Sequence, residues 1–225
     1  MQYQGIIFDF NGVLILDTPL QEKAWKMFAH TQRGYAFDEQ EMSIHVHGRP
    51  NSHTLNYLFG QPLLDNELGE QIQIKESIYR KLCLDSKDQF CLSPGAVQLL
   101  NYLKKYQVPR TIATASEITN LNFFIHHLRL DHWFDVNRIV YDDGTISGKP
   151  EPDIYVKAAK NIGLNPSECI VIEDSVSGIE AAKRAGIGFI IALGENALHG
   201  QLKQLPGVQE VIETLKAFPK DIVAL

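Results

Sequence analysis

Cysteine is scarce in this chain: Cys83, Cys91 and Cys169 stand far apart and show no C-x-x-C spacing. An odd, scattered set excludes a disulfide framework and a zinc site, and it fits a reducing cytosol. Long apolar runs are also missing. None approaches the roughly 18 residues that a membrane-crossing helix needs. The N-terminal Met1-Gln2-Tyr3-Gln4 carries no positive charge, and the apolar Ile6-Ile7-Phe8 stops at Asp9, so no secretory signal is read there. The expected location is the cytoplasm. Positive charge is in short supply too, with 21 Lys and Arg against 27 Asp and Glu and a net charge of −6. That balance excludes a basic surface for nucleic acid or anionic membrane. What remains is an ordinary soluble composition, 44% hydrophobic and 21% charged over 225 residues. It fits one domain, or one domain carrying an insertion, and excludes disorder, collagen-like repeats and coiled coil. A chain of this size buries roughly 70% of its extended surface, enough for a real core.

Short apolar runs alternate with amphipathic segments. Gly5-Ile6-Ile7-Phe8, Arg110-Thr111-Ile112-Ala113, Cys169-Ile170-Val171-Ile172 and Gly188-Phe189-Ile190-Ile191-Ala192-Leu193 read as strands. Their continuous apolarity predicts burial on both faces, as in a parallel sheet. Helices are predicted over 95–105, 118–128, 153–162 and 177–185 between and after these strands. The alternation from residue 93 onwards predicts a doubly wound, Rossmann-like α/β domain. Residues 15–90 break it with helical patterns over 19–29, 38–45, 52–59 and 65–84 and no strand between them. The expected organisation is a core of 1–14 and 91–225, interrupted after the first strand by a small helical-bundle cap of 15–90.

Ligands of a doubly wound sheet bind beyond the carboxyl ends of its strands. The first strand delivers Asp9-Phe10-Asn11-Gly12 there, the second Thr114-Ala115-Ser116, and the third Glu173-Asp174-Ser175. Gly148-Lys149-Pro150-Glu151-Pro152 adds a lysine ahead of a helix. Taken singly, each piece has an ordinary explanation as a turn, cap or solvated residue. Together they converge carboxylates, hydroxyls and one cation. Carboxylates suit Mg²⁺, while Lys, hydroxyls and backbone N–H groups suit phosphate oxygens. This is the inventory of a phosphoryl-transfer site.

With these motifs in order, the chain resembles the haloacid dehalogenase superfamily, in the branch with a helical cap after the first strand. That branch includes phosphoglucomutase-like proteins and many small phosphatases. The matching stretches are Ile6 to Leu14, Ile112 to Ser116, Gly148 to Pro152 and Val171 to Ser175, and the likeness spans essentially the whole chain. The resemblance implies a Mg²⁺-dependent phosphatase acting on a small phosphorylated metabolite, with no nucleic-acid or membrane partner and a monomeric state. Asp9 would be the nucleophile and form an aspartyl-phosphate. Thr114, with the backbone at Ala115 and Ser116, would hold the phosphoryl group. Lys149 would balance its charge, and Asp9, Asp174 and the main chain of Asn11, with Glu173 directly or through water, would hold the metal.

Asn11 departs from the pattern. In the phosphatases and mutases this chain resembles, that position is a second Asp that protonates the leaving group and then activates water. A neutral amide cannot shuttle a proton, a loss of roughly 10²–10⁴ in rate. Three explanations stand: an engineered Asp→Asn change, a natural variant whose substrate brings a good leaving group such as an acyl phosphate, or a protein that binds without turnover.

The mutase subtype fits less well. Its first cap helix carries a His where this chain has Gln21. The Arg that grips a second phosphate is replaced by Asn51 in the turn Gly48-Arg49-Pro50-Asn51, which leaves Arg49 as the nearest cation. Gln21, Arg49 and Asn51 are the candidate substrate contacts of the cap. His45, His47 and His53 cluster nearby and are read as substrate-facing groups rather than a metal site. A phosphoglucomutase-like phosphotransferase, a metal-free dehalogenase and a phosphate-binding protein are the competing classes.

Overall fold

The computed structural model describes residues 2–47 and 49–224. Six strands form one sheet in the order β3-β2-β1-β4-β5-β6, every neighbouring pair parallel. They are β1 (Gly5–Phe8), β2 (Arg110–Glu117), β3 (Val140–Asp142), β4 (Cys169–Glu173), β5 (Phe189–Leu193) and β6 (Val208–Ile212). The fold is the doubly wound α/β architecture anticipated from the apolar runs. The central strands β1 and β4 are buried at every residue, which is why their sequences show no alternation. The two strands without a sequence signature, β3 and β6, are the sheet's edges. The first is three residues long, and the second is largely open to solvent, so neither carries a continuous apolar run.

The chain divides into two compact units, 1–16 with 91–225, and 17–90. In the first unit, α5 (Ala96–Lys105), α6 (Ile118–Leu128), α7 (Asp153–Asn161), α8 (Val176–Arg184) and the short α9 (His199–Leu202) accompany the sheet. Helix α7 packs on β1, β2 and β3, and α8 on β4 and β5. The alternate residues Ile7, Ala113, Val171 and Ile190 face this side and meet Tyr155, Ala158, Ile179 and Ala182 in one core. On the opposite face, Phe8 meets Phe134 edge-on with centroids 6.0 Å apart. The two segments of the unit are stitched where the chain leaves and returns. The Ser93 amide donates to Leu14 O at 2.8 Å, and the Ser93 hydroxyl to Val13 O at 2.6 Å.

The second unit is helical: α1 (Thr18–Arg33), α2 (Glu39–Glu41), α3 (Asn51–Phe59) and α4 (Asp65–Asp85). Pro19 in the first turn and left-handed Gly34 after the last set the ends of α1. Helices α1 and α4 pack together, and Trp25, Phe28, Ala29, Phe37, Met42, Val46 and Leu55 form the unit's core. The helix expected over 38–45 begins with a reciprocal Asp38–Glu41 cap, then widens after one turn into a π-helical segment, Met42–Val46. No local sequence feature signals that widening.

Candidate active site

The order 3-2-1-4-5-6 reverses direction between β1 and β4, which opens a crevice beyond their carboxyl ends. Asp9 follows β1 directly, and its amide donates to Ile172 O of β4 at 3.0 Å. Glu173 closes β4, and Asp174 follows it. Strand β2 continues to Glu117, so Thr114, Ala115 and Ser116 lie inside its last residues rather than in a loop after it. Lys149 precedes α7, and the Lys149–Pro150 peptide is cis.

These positions meet. The Lys149 ammonium lies 2.6 Å from Asp9 Oδ1 and 2.5 Å from Glu173 Oε1. Burial works against the charge on Lys149, yet the two carboxylates outweigh it and hold the ammonium well above the usual lysine range. Glu173 is fully buried and engaged on both oxygens. Oε1 also accepts from the Tyr155 hydroxyl at 3.0 Å, while Oε2 accepts from the Ser175 amide at 2.7 Å and the Ser175 hydroxyl at 3.0 Å. Burial alone would raise its carboxyl; Lys149 and Ser175 bring it below the ordinary range instead. The Glu173 lone pairs are directed to the lysine, the tyrosine and the start of α8.

Asp174 has the opposite character. Burial, Glu173 and Asp9 together push its carboxyl up to about 8. It lies against the backbone of Gly12, where a Cβ would fall 2.0 Å from Asp174 Oδ2 and where φ is +88°. Position 12 therefore needs glycine on two counts. The Lys149 ammonium pairs with Asp9 and Glu173, and the raised Asp174 carboxyl beside them shows a crevice short of positive charge. A divalent cation fits that deficit. Among the described residues, no three His, Cys, Asp or Glu side chains form a ready-made cluster for a metal.

The phosphate-binding candidates line the same end of the sheet. Thr114 is buried, and its Oγ1 accepts from the Ser116 amide at 3.1 Å. The Ser116 hydroxyl donates to Asn11 Oδ1 at 3.0 Å. Tyr155 and Gly178 escaped the sequence reading. Tyr155 looks like one more apolar residue on the core stripe of α7, and only the fold turns its hydroxyl onto Glu173.

In the helical unit, Gln21 and Asn51 belong to a buried polar chain. Gln21 Nε2 and the Tyr79 hydroxyl donate to Asp17 Oδ2 at 3.2 and 2.6 Å. Lys75 Nζ donates to Gln21 Oε1 at 2.6 Å and to Glu76 Oε1 at 2.8 Å, and Asn51 Nδ2 lies 3.4 Å from that same oxygen of Glu76. Lys75 and Glu76 carry no sequence signal beyond their charge. Arg49 is exposed and folds back onto Ile44 O at 3.2 Å; Gly48, the first residue of its turn, lies outside the described residues. His45 and His53 stay together, stacked with centroids 5.7 Å apart, and His45 also stacks on Tyr57 at 3.6 Å; His47 instead pairs with Glu22 at 2.8 Å.

A parallel sheet with these groups beyond its carboxyl ends defines a hydrolase of the haloacid dehalogenase type. The family model "haloacid dehalogenase-like hydrolase" matches residues 3–186, and the chain belongs to that family. It is 29% identical to the fructose-1-phosphate phosphatase of Escherichia coli over 83% of this chain and 94% of that one. It is 28% identical to the beta-phosphoglucomutase of Bacillus subtilis over 85% of this chain and 84% of that one. A crystal structure of a family IA, variant 3 hydrolase from Entamoeba histolytica superposes with a TM-score of 0.91 at 36% identity, covering 99% of this chain and 97% of that one. No described helix is long and apolar enough to cross a membrane.

Proposed function

We propose that this enzyme is a Mg²⁺-dependent phosphohydrolase that passes the phosphoryl group of a small phosphorylated metabolite through Asp9. The observation that carries the reading is the Lys149 ammonium, held 2.6 Å from Asp9 and anchored on the buried Glu173. A lysine so placed balances the charge of Asp9 and faces the phosphoryl oxygens that arrive beside it. Thr114 and the amides at Ala115 and Ser116 bind the remaining oxygens. Asp9, Asp174 and the Asn11 carbonyl hold Mg²⁺, and Glu173 serves by fixing Lys149. When bound, the metal supplies compensating charge for Asp9, Asp174 and the phosphate. Gln21, Arg49 and Asn51 of the helical unit remain its candidate substrate contacts. The sugar-phosphate activities named for the two curated relatives make sugar phosphates and related small phosphate esters the first panel to assay.

The test is phosphate release across that panel, with acetyl phosphate and p-nitrophenyl phosphate included, in Mg²⁺ and in EDTA. Release in Mg²⁺ that EDTA and Asp9→Asn both abolish is the expected result. Release that persists in EDTA, or that survives Asp9→Asn, sinks the reading.

A further inference from the structure

His45 and His53 of the helical unit meet nitrogen to nitrogen. Their ring centroids lie 5.7 Å apart with the planes within 18° of each other, yet His45 Nδ1 and His53 Nε2 are only 3.5 Å apart. That is well inside the separation of the ring centres, so the two nitrogens face each other. As a hydrogen bond the distance is long, beyond the usual range of roughly 2.7–3.2 Å. As two corners of a coordination shell it fits. Nitrogens each about 2.0–2.1 Å from a zinc ion and 3.5 Å from one another subtend about 115–120°, close to the tetrahedral angle.

The surroundings hold the pair in place. His45 lies on the π-helical segment Met42–Val46, a geometry found mostly at functional sites. The Thr54 hydroxyl donates to the His45 carbonyl at 2.6 Å and ties that segment to α3. The His45 ring lies flat on Tyr57, with centroids 3.6 Å apart and planes 7° apart. Tyr57 donates its hydroxyl to Glu41 Oε1 at 2.8 Å, and Arg33 grips both oxygens of Glu41. One imidazole is thus fixed by packing, and the other stands exposed in the first turn of α3.

We propose that His45 and His53 form a binding site for a divalent transition metal, zinc or copper, with water in the remaining positions. Imidazole suits these ions, whereas Mg²⁺ prefers oxygen ligands and does not compete for the pair. His45 binds through Nδ1 and His53 through Nε2, and each keeps its proton on the other ring nitrogen. The His-x-His spacing of the sequence is not the pair that forms, because His47 Nε2 lies 2.8 Å from Glu22 Oε1. Bound metal staples the π-helical segment to α3. The proposal is independent of the phosphohydrolase reading.

The experiment titrates the full chain with Zn²⁺ and with Cu²⁺ in excess Mg²⁺ by calorimetry, beside His45→Phe, His53→Ala, His47→Ala and Asp174→Asn. His45→Phe keeps an aromatic ring on Tyr57 and removes the nitrogen. The expected result is one equivalent of either ion, copper the tighter, that His47→Ala and Asp174→Asn leave unaltered. Loss of either ligand should weaken binding by more than the roughly 10–100-fold that losing an outer-shell partner costs. Bound Cu²⁺ should show hyperfine coupling to two nitrogens in its electron paramagnetic resonance spectrum. Saturating Zn²⁺ should raise the melting temperature of the wild-type chain and not that of His53→Ala. Melting curves in EDTA check that each variant is folded, and the exposed His53→Ala decides alone if His45→Phe is not. Binding that survives His53→Ala, or that Asp174→Asn removes, overturns the proposal. A one-nitrogen copper spectrum, or saturation that needs millimolar metal, overturns it too.

Discussion

Gly178 stands directly against the Glu173 carboxylate: a Cβ at position 178 would fall 1.6 Å from Glu173 Oε1. The glycine sits in the first turn of α8, where its amide donates to Ser175 Oγ at 3.0 Å. On helix propensity alone, Gly178→Ala gains about 1 kcal/mol. Steric conflict with a fully buried carboxylate costs about 1–3 kcal/mol, so conflict wins and the net change is destabilising. Displacing Glu173 also lets Lys149 drift, and a shift of about 1 Å at a reacting centre costs on the order of 10²-fold in rate. Urea unfolding and single-turnover kinetics on Gly178→Ala check both signs. A stabilised, fully active variant refutes the close approach.

Tyr155 shares Glu173 Oε1 with Lys149, and its ring lies 5.2 Å from the ammonium. Tyr155→Phe keeps the ring and removes one donor to a buried carboxylate, a loss of roughly 1.5–3 kcal/mol in stability. Because the lysine's anchor loosens, turnover should drop by about tenfold while KM stays within about twofold. Tyr155→Leu, which removes the ring as well, should be slower still. Equal turnover in the wild-type chain and Tyr155→Phe shows that the hydroxyl serves packing alone.

Asp174 sets a pH dependence that metal reverses. Its carboxyl is pushed up to about 8 in the fold, against about 3.9 in an unfolded chain. The folded state holds its proton more tightly, so this contribution is fully present below about pH 4 and is lost as pH rises through 8. The slope within that window is at most about 1.4 kcal/mol per pH unit. Metal-free protein should therefore melt at falling temperature from pH 5 to pH 8, with the slope reduced in Asp174→Asn. Saturating Mg²⁺ should raise the melting temperature most at pH 8 in the wild-type chain and little in Asp174→Asn. Differential scanning calorimetry in EDTA and in Mg²⁺ reads all four curves.

The helical unit carries the opposite sign. Arg33 grips Glu41 with two bonds at 2.8 and 2.7 Å, and the Arg33 guanidinium, helped by the Asp38 amide and Tyr57, brings the Glu41 carboxyl down to about 2. This stabilisation is complete above about pH 4.3 and is lost as pH falls toward 2. Both side chains retain some solvent contact, so Arg33→Met should cost only about 1 kcal/mol at pH 7. The difference between the two chains should vanish near pH 2, as urea midpoints at pH 7, 4 and 2 will show.

The sequence by itself determined the central strands and the groups at their ends. A strand buried on both faces must be continuously apolar, so Ile6-Ile7-Phe8 and Cys169-Ile170-Val171-Ile172 announce themselves, and Asp9 and Glu173-Asp174 mark where each run stops. Lys149 and Thr114 were legible for the same local reason, as polar residues at the borders of apolar or helical segments. The helical character of residues 15–90 was equally visible in its periodicity. Tertiary structure alone decided the rest. Edge strands β3 and β6 need only one neighbour and half a buried face, and so leave no apolar run to read. The pairing of Lys149 with both Asp9 and Glu173 depends on which strands lie side by side, and that is set by packing between residues 140 positions apart in the chain. The turn of Glu173 toward lysine, the Tyr155 hydroxyl beneath it and the space that Gly178 leaves for it are cross-element contacts. No local pattern encodes them, because each partner looks ordinary until the other is placed against it.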